Sequence, residues 1–135
     1  METLPAAVRS MLDPGTYPHP VEDIRLVQTH ISWVFLTGTW AYKIKKPVDF
    51  GFLDFTTLER REHYCRRELE LNRRFAPEIY VDVVPLCFDG LHYRLLGKGD
   101  VVESCLRMRQ FNENDLLLHR VRQQRFDPAW MDLLA

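Results

Sequence analysis

Lysines on a strand and a carboxylate inside the apolar face of a helix are the residues of this sequence that could act together on phosphate. The run from Trp40 to Lys46 reads as a strand. Its alternation sets Ala41, Lys43 and Lys45 on one face and Trp40, Tyr42 and Ile44 on the other. A small Ala beside a Lys leaves a gap roofed by backbone with a cation at its edge, which suits a purine ring and its phosphates. The alternative is a solvent face whose lysines serve solubility. Glu68 lies four residues after Tyr64, three before Leu71 and seven before Phe75, on one side of a predicted helix. A carboxylate inside an apolar stripe is costly unless a cation or hydrogen-bond donors meet it, and Lys43 is the natural partner. Alternatively, Glu68 sits at the stripe's edge and pairs with Arg61 or Arg67.

Other chemistry-bearing residues point less far. Arg60-Arg61, Arg66-Arg67 and Arg73-Arg74 give the segment 56–75 a basic look that could meet nucleic-acid phosphates or a partner protein. They alternate with Glu59, Glu62, Glu68 and Glu70, which favours a solvated salt-bridge surface over nucleic acid as partner. His19, His30, His63, His92 and His119 show no metal-ligand spacing. Cys65, Cys87 and Cys105 are odd in number and far apart, so buried reduced thiols in a cytoplasmic protein are expected.

The elements that must position these residues follow from pattern and punctuation. Leu4, Val8, Met11 and Leu12 suggest a short helix over residues 4–12, stopped by Asp13-Pro14-Gly15. Runs from Ile24 to Thr29, Trp33 to Thr37 and Trp40 to Lys46 read as strands, the last two joined across Gly38-Thr39 as a tight hairpin. Thr56 or Thr57 caps the main helix, whose stripe runs through Leu58, Tyr64, Cys65, Leu69, Leu71 and Phe75. A hairpin at Asp89-Gly90 and a run from Val101 to about Met108 complete what we expect to be a five-stranded, mainly antiparallel sheet with one long helix, an α+β fold. Further helices are expected near Asn114–Gln123 and from Asp127-Pro128. The large groups Trp40, Tyr42 and Ile44 need a cover, and residues 1–20 are the unassigned apolar segment expected to supply it.

Composition excludes several classes. The chain has 135 residues, 46% of them hydrophobic and 27% charged, which fits one folded domain rather than disorder. Eighteen Lys+Arg against nineteen Asp+Glu give a formal charge of −1, so no global field invites a polyanion or a membrane surface. No apolar run approaches the roughly 20 residues of a membrane span.

Trp40-Ala41-Tyr42-Lys43 resembles the Val-Ala-Ile-Lys strand of kinase-fold phosphotransferases, with Glu68 at the place of their paired helix glutamate. More specifically, Thr29-His30-Ile31-Ser32-Trp33-Val34-Phe35-Leu36, Tyr42-Lys43-Ile44-Lys45-Lys46-Pro47, Phe50-Gly51-Phe52-Leu53-Asp54-Phe55, Leu71-Asn72-Arg73-Arg74 and Met108-Arg109-Gln110-Phe111 are similar to a bacterial group. Its members are aminoglycoside-phosphotransferase-family proteins, often fused to a downstream P-loop ATPase domain. The resemblance spans nearly the whole chain and implies the nucleotide-binding N-lobe of a kinase. Lys43 would hold the phosphates of ATP, Glu68 would orient Lys43, and Ala41 would line the adenine pocket. The backbone of Arg109, Gln110 and Phe111 would form the hinge at the adenine edge.

The sequence also departs from that family. The loop around His30-Ile31-Ser32 lacks Gly-x-Gly-x-x-Gly, so phosphate contacts there fall to backbone N–H groups and the Ser32 hydroxyl. No His-Gly-Asp or His-Arg-Asp loop occurs, and no Asp-Phe-Gly follows one, so no catalytic residue is assigned and the Mg2+ ligands are expected in an absent C-lobe. The expectation is an inactive fragment with a cap over 1–20, the N-lobe over 21–111 and truncated linker and C-lobe helices over 112–135. Its parent would phosphorylate a small hydroxylated acceptor. The partners would be nucleotide and the missing lobe, with self-association through the uncovered cleft side near Met108 and Phe111.

Overall fold

The computed structural model describes residues 4–110. The alternating runs become β1 (Arg25–Gln28), β2 (Ser32–Leu36) and β3 (Trp40–Lys45). A two-residue turn joins β2 to β3, with Gly38 at φ 106° and the Thr37 N–H donating to the Trp40 carbonyl at 2.9 Å. That positive φ is the conformation that favours glycine at the first loop position. The helix α2 (Leu58–Arg73) follows, then β4 (Tyr80–Phe88), β5 (Tyr93–Leu95) and β6 (Asp100–Arg109). The sheet order is β1-β2-β3-β6-β4-β5, and every neighbouring pair is antiparallel. The expected α+β class holds, but the sheet has six strands, not five. The hairpin at Asp89-Gly90 supplies two strands of its own, and the long β6 then inserts between β3 and β4 as a sixth.

Thr57 caps α2, its hydroxyl accepting from the Arg60 N–H at 3.1 Å. Thr56 instead bonds Asp54 through its N–H and its hydroxyl. We expect Thr57→Ala to cost about 1 kcal/mol in urea denaturation, the usual effect of losing such a cap. The buried residues of α2 are Cys65, Glu68 and Asn72. Leu58, Tyr64, Leu69 and Leu71 are only half-buried, and Phe75 lies beyond the helix end, exposed. The stripe therefore centres on Glu68, which is not at its edge. The helix packs on β4 and β6 through Cys65, Ile79, Tyr80 and Leu106.

The other sheet face is covered by the N-terminal segment, as its apolar residues predict. The helix α1 is short (Ala6–Ser10), followed by a 3-10 turn over Pro14–Thr16. Val8, Met11 and Tyr17 are buried in one cluster with Trp33, Phe35, Tyr42 and Ile44. Leu12 falls outside it and is exposed. Polar contacts fix the cap: the Tyr17 hydroxyl donates to the Met11 carbonyl at 2.6 Å, and His19 Nε2 lies 2.8 Å from the Tyr42 hydroxyl. The helices expected after Gln110 lie outside the described residues.

Candidate functional site

Strand register decides which side chains share a face. Ser32 pairs with Lys45, Val34 with Lys43 and Leu36 with Ala41. Across β6, Lys43 pairs with Leu106 and Ala41 with Met108. Paired residues point the same way, so the predicted face of Ala41, Lys43 and Lys45 continues through Ser32, Val34, Leu36, Leu106 and Met108. Val27 of β1 joins it opposite Val34.

Glu68 reaches this face from α2. Lys43 Nζ donates to Glu68 Oε2 at 2.9 Å, and Lys45 Nζ donates to Glu68 Oε1 at 2.8 Å. The expected Lys43–Glu68 ion pair is present, and Lys45, the alternative partner on the same face, occupies the other oxygen as well. All three are buried, with relative exposures of 5% for Lys43, 1% for Lys45 and 0% for Glu68. The alternative pairing with Arg61 does not occur, because Arg61 Nε lies 3.0 Å from Glu103 Oε1.

Burial pushes the Glu68 carboxyl upward, but the charges of Lys43 and Lys45 and their hydrogen bonds outweigh it, so it titrates below its ordinary value. Burial lowers Lys43; Glu68 opposes that and Lys45 adds to it, leaving the ammonium easier to deprotonate than a free lysine. One carboxylate and two ammoniums make a buried cluster with a formal charge of +1. Burying a charge without full compensation is costly, so the cluster favours an anion.

Beside the cations, Val34, Leu36 and Met108 are half-buried and Ala41 is buried, forming an apolar row and its border on the same face. Helix α2 covers the β4–β6 side, and no other described helix lies on the β1–β2 side of this face, where Val27 is exposed. A cavity of about 460 Å³ opens at the end of the row, lined by Arg25, Leu36, Gly38, Thr39 and Gln110 among others. It does not reach Lys43, Lys45 or Glu68.

The remaining predicted residues divide. Ser32 begins β2 with its hydroxyl buried and without a hydrogen-bond partner, on the lysine face as required. Its loop is tighter than expected, because the Thr29 hydroxyl accepts from the N–H groups of Ile31 and Ser32 at 3.3 and 3.0 Å. Those two N–H groups are thus spent inside the turn. At the hinge, the Arg109 N–H donates to the Ile79 carbonyl at 2.7 Å and the Gln110 N–H to the Thr39 carbonyl at 2.9 Å. An adenine edge would therefore meet carbonyls there, or the backbone of Phe111, which lies outside the described residues. Pattern reading also missed Asn72, one turn after Glu68, whose fully buried carboxamide has no hydrogen-bond partner. Its position four residues after Glu68 was the available signal.

The arginines of α2 and its C-cap are largely answered locally: Arg60 by Asp54, Arg61 by Glu103, Arg66 by Glu62 and the C-cap Arg74 by Glu70. Asp49-Phe50-Gly51, on the connection from β3 to α2, forms a turn in which Asp49 Oδ1 accepts from the Gly51 N–H at 2.7 Å. Among the described residues no group of three or more His, Cys, Asp or Glu could hold a metal ion, and no helix is long and apolar enough to cross a membrane. The three cysteines are free and buried.

No family model matches the chain, and no solved structure matches it. It is similar to the uncharacterized protein Rv2004c of Mycobacterium tuberculosis (strain ATCC 25618 / H37Rv) and to the uncharacterized protein Mb2027c of Mycobacterium bovis. Each is 46% identical over 71 residues, half of this chain. The chain spans only 14% of the length of these curated relatives.

Proposed function

We propose that this chain is the nucleotide-binding lobe of an aminoglycoside-phosphotransferase-like kinase. The observation that carries the reading is the buried Glu68 carboxylate between the Lys43 and Lys45 ammoniums, on the sheet face that also holds Ala41. Lys43 is the phosphate ligand, Glu68 orients it, and Ala41 with Leu36 and Met108 forms the apolar floor for a purine. The fold supports it by carrying the lysine on a central strand and the glutamate on the one long helix. Residues 1–135 contain no His-Gly-Asp or His-Arg-Asp loop, so the chain binds nucleotide without transferring its phosphoryl group. Transfer to a hydroxylated acceptor, with the Mg2+ it requires, belongs to a longer parent.

Equilibrium binding of a fluorescent ATP analogue to the full chain tests this. Saturable binding that ATP competes away and that moderate salt leaves largely intact is the expected result. Lys43→Met should weaken it at least about tenfold, the loss of one charge-assisted contact. No saturable binding refutes the reading. Binding to duplex DNA that collapses as salt rises would favour an adaptor working through α2 instead.

A further inference from the structure

The connection from β3 to α2 holds an aromatic ring out in water. Its turn is closed by the Phe50 N–H donating to the Leu53 carbonyl at 2.8 Å, with Gly51 and Phe52 at the tip. Gly51 takes φ 85°, and just outside the turn the Phe55 N–H donates to the Val48 carbonyl at 2.8 Å. The ring so displayed, Phe52, is 77% exposed, and Phe50 beside it is 48% exposed. Turn tips are ordinarily polar. An apolar tip fixed by backbone bonds has the form of a binding anchor, because little further freedom is lost when it docks.

Beside this turn the sheet is incompletely covered. Leu58 in the first turn of α2, with Val83 and Pro85 of β4 and Val101 of β6, lines a groove of about 340 Å³. Val101 is 47% exposed, and Phe52 does not line the groove of its own chain. Glu62 and Arg66 on the lining pair with each other at 3.1 Å, so they add no net charge.

We propose that turn and groove are the two halves of a homodimer contact, the Phe50–Phe52 tip of each copy lying in the groove of the other. The turn is tied to the helix that lines the groove: Arg60 pairs with Asp54 at 3.2 Å, and Arg61 Nη1 donates to the Phe55 carbonyl at 2.9 Å. Anchor and groove thus adjoin on one chain, and a two-fold axis between them forms both contacts at once. Charge opposes self-association little, since the chain carries a formal −1. Burying both rings and the groove of each copy removes on the order of 1,000 Å² in total, at the weak end of specific interfaces, so the dimer dissociates on dilution.

Sedimentation velocity of the full chain over a wide concentration range tests this. Phe52→Ser and Val101→Lys replace exposed side chains and should melt within about 3 °C of the parent. Each should weaken dimerisation at least about tenfold. Leu91→Ser, at an 83% exposed leucine following the Asp89-Gly90 turn, should leave it unchanged, which separates a specific contact from general stickiness. Mixing is the stricter test. Phe52→Ser chains keep the groove and Val101→Lys chains keep the ring, so an equimolar mixture should form more dimer than either variant alone at the same total concentration. A parent that stays monomeric at every concentration would overturn the proposal. So would a dimer that survives Phe52→Ser, as one through the cleft side near Met108 would, or a mixture no better than its components. None of these readouts involves nucleotide, so failure here leaves the functional reading standing, and the reverse.

Discussion

Glu68→Gln should unfold this protein or lower its melting temperature by about 12 °C or more, the largest single-atom effect the structure implies. The substitution keeps shape and removes one charge, leaving Lys43 and Lys45 buried with no carboxylate between them. Breaking a buried ion pair from one side costs roughly 3–5 kcal/mol, and here two cations lose their partner at once. Glu70→Gln is the matched control. That carboxylate is exposed and 4.0 Å from Arg74, so its loss should change the melting temperature negligibly. A Glu68→Gln chain that melts with the parent would mean that the ammoniums are not buried against this helix.

The same cluster sets the acid limb of the stability curve. Because the folded Glu68 carboxyl titrates below its unfolded value, its stabilisation is complete above the unfolded value. It is lost as pH falls through the folded one. Lys43 acts with the opposite consequence. Its folded ammonium is depressed by burial, so it costs stability at and below the folded value, and that cost fades as pH rises toward the ordinary lysine range. Melting temperatures measured downward from neutral pH should therefore fall in the parent and fall less steeply in any folded variant lacking Glu68.

The part of this site legible in the sequence is the part written by period. Strict alternation from Trp40 to Lys46 assigned Ala41, Lys43 and Lys45 to one face, and the i, i+4 spacing around Glu68 pointed a carboxylate at them. Whether one or two lysines would meet it depended on where α2 crosses β3, a tertiary fact that no local pattern encodes. The hinge illustrates the same limit. Arg109 and Gln110 read as a backbone edge open to a ligand, but bonds to the Ile79 carbonyl just before β4 and to the Thr39 carbonyl of the β2–β3 turn consume their N–H groups. Ser32 read as a loop residue, yet the Thr29 hydroxyl closes the preceding turn early and draws Ser32 into β2. Phe75 read as core because it shares a helical face with Glu68; the helix ends at Arg73, and beyond it that periodicity no longer places side chains. The runs read as strands, three before the helix, two in the Asp89-Gly90 hairpin and one from Val101, already number six, so the expected five miscounted elements that the pattern had placed.

Deleting residues 1–14 should destabilise the domain strongly without touching the lysine face. Val8 and Met11 are 1% and 0% exposed and pack with Tyr42, Ile44, Trp33 and Phe35, on the side of the sheet away from Lys43. Burying side chains of that size contributes roughly 1.5–3 kcal/mol each. The deletion also removes the Met11 carbonyl that accepts from the Tyr17 hydroxyl, and an unpaired buried hydroxyl costs about 1–3 kcal/mol more. Ordering the segment takes back part of this in entropy, so a fall in melting temperature of about 15 °C is the expected scale. Tryptophan emission should shift to the red, since Trp33 and Trp40 belong to the uncovered cluster. Met11→Ala should give a smaller version of the same result, about 2 kcal/mol, while leaving the cap attached. Binding of the ATP analogue, measured well below the new melting temperature, should match the parent, because Lys43, Lys45 and Glu68 keep every contact they have. A truncated chain that melts unchanged would make the N-terminal segment an ornament on the sheet. One that stays folded yet loses the nucleotide would show that the two faces are coupled through β3, whose side chains alternate between the cap and the ion cluster.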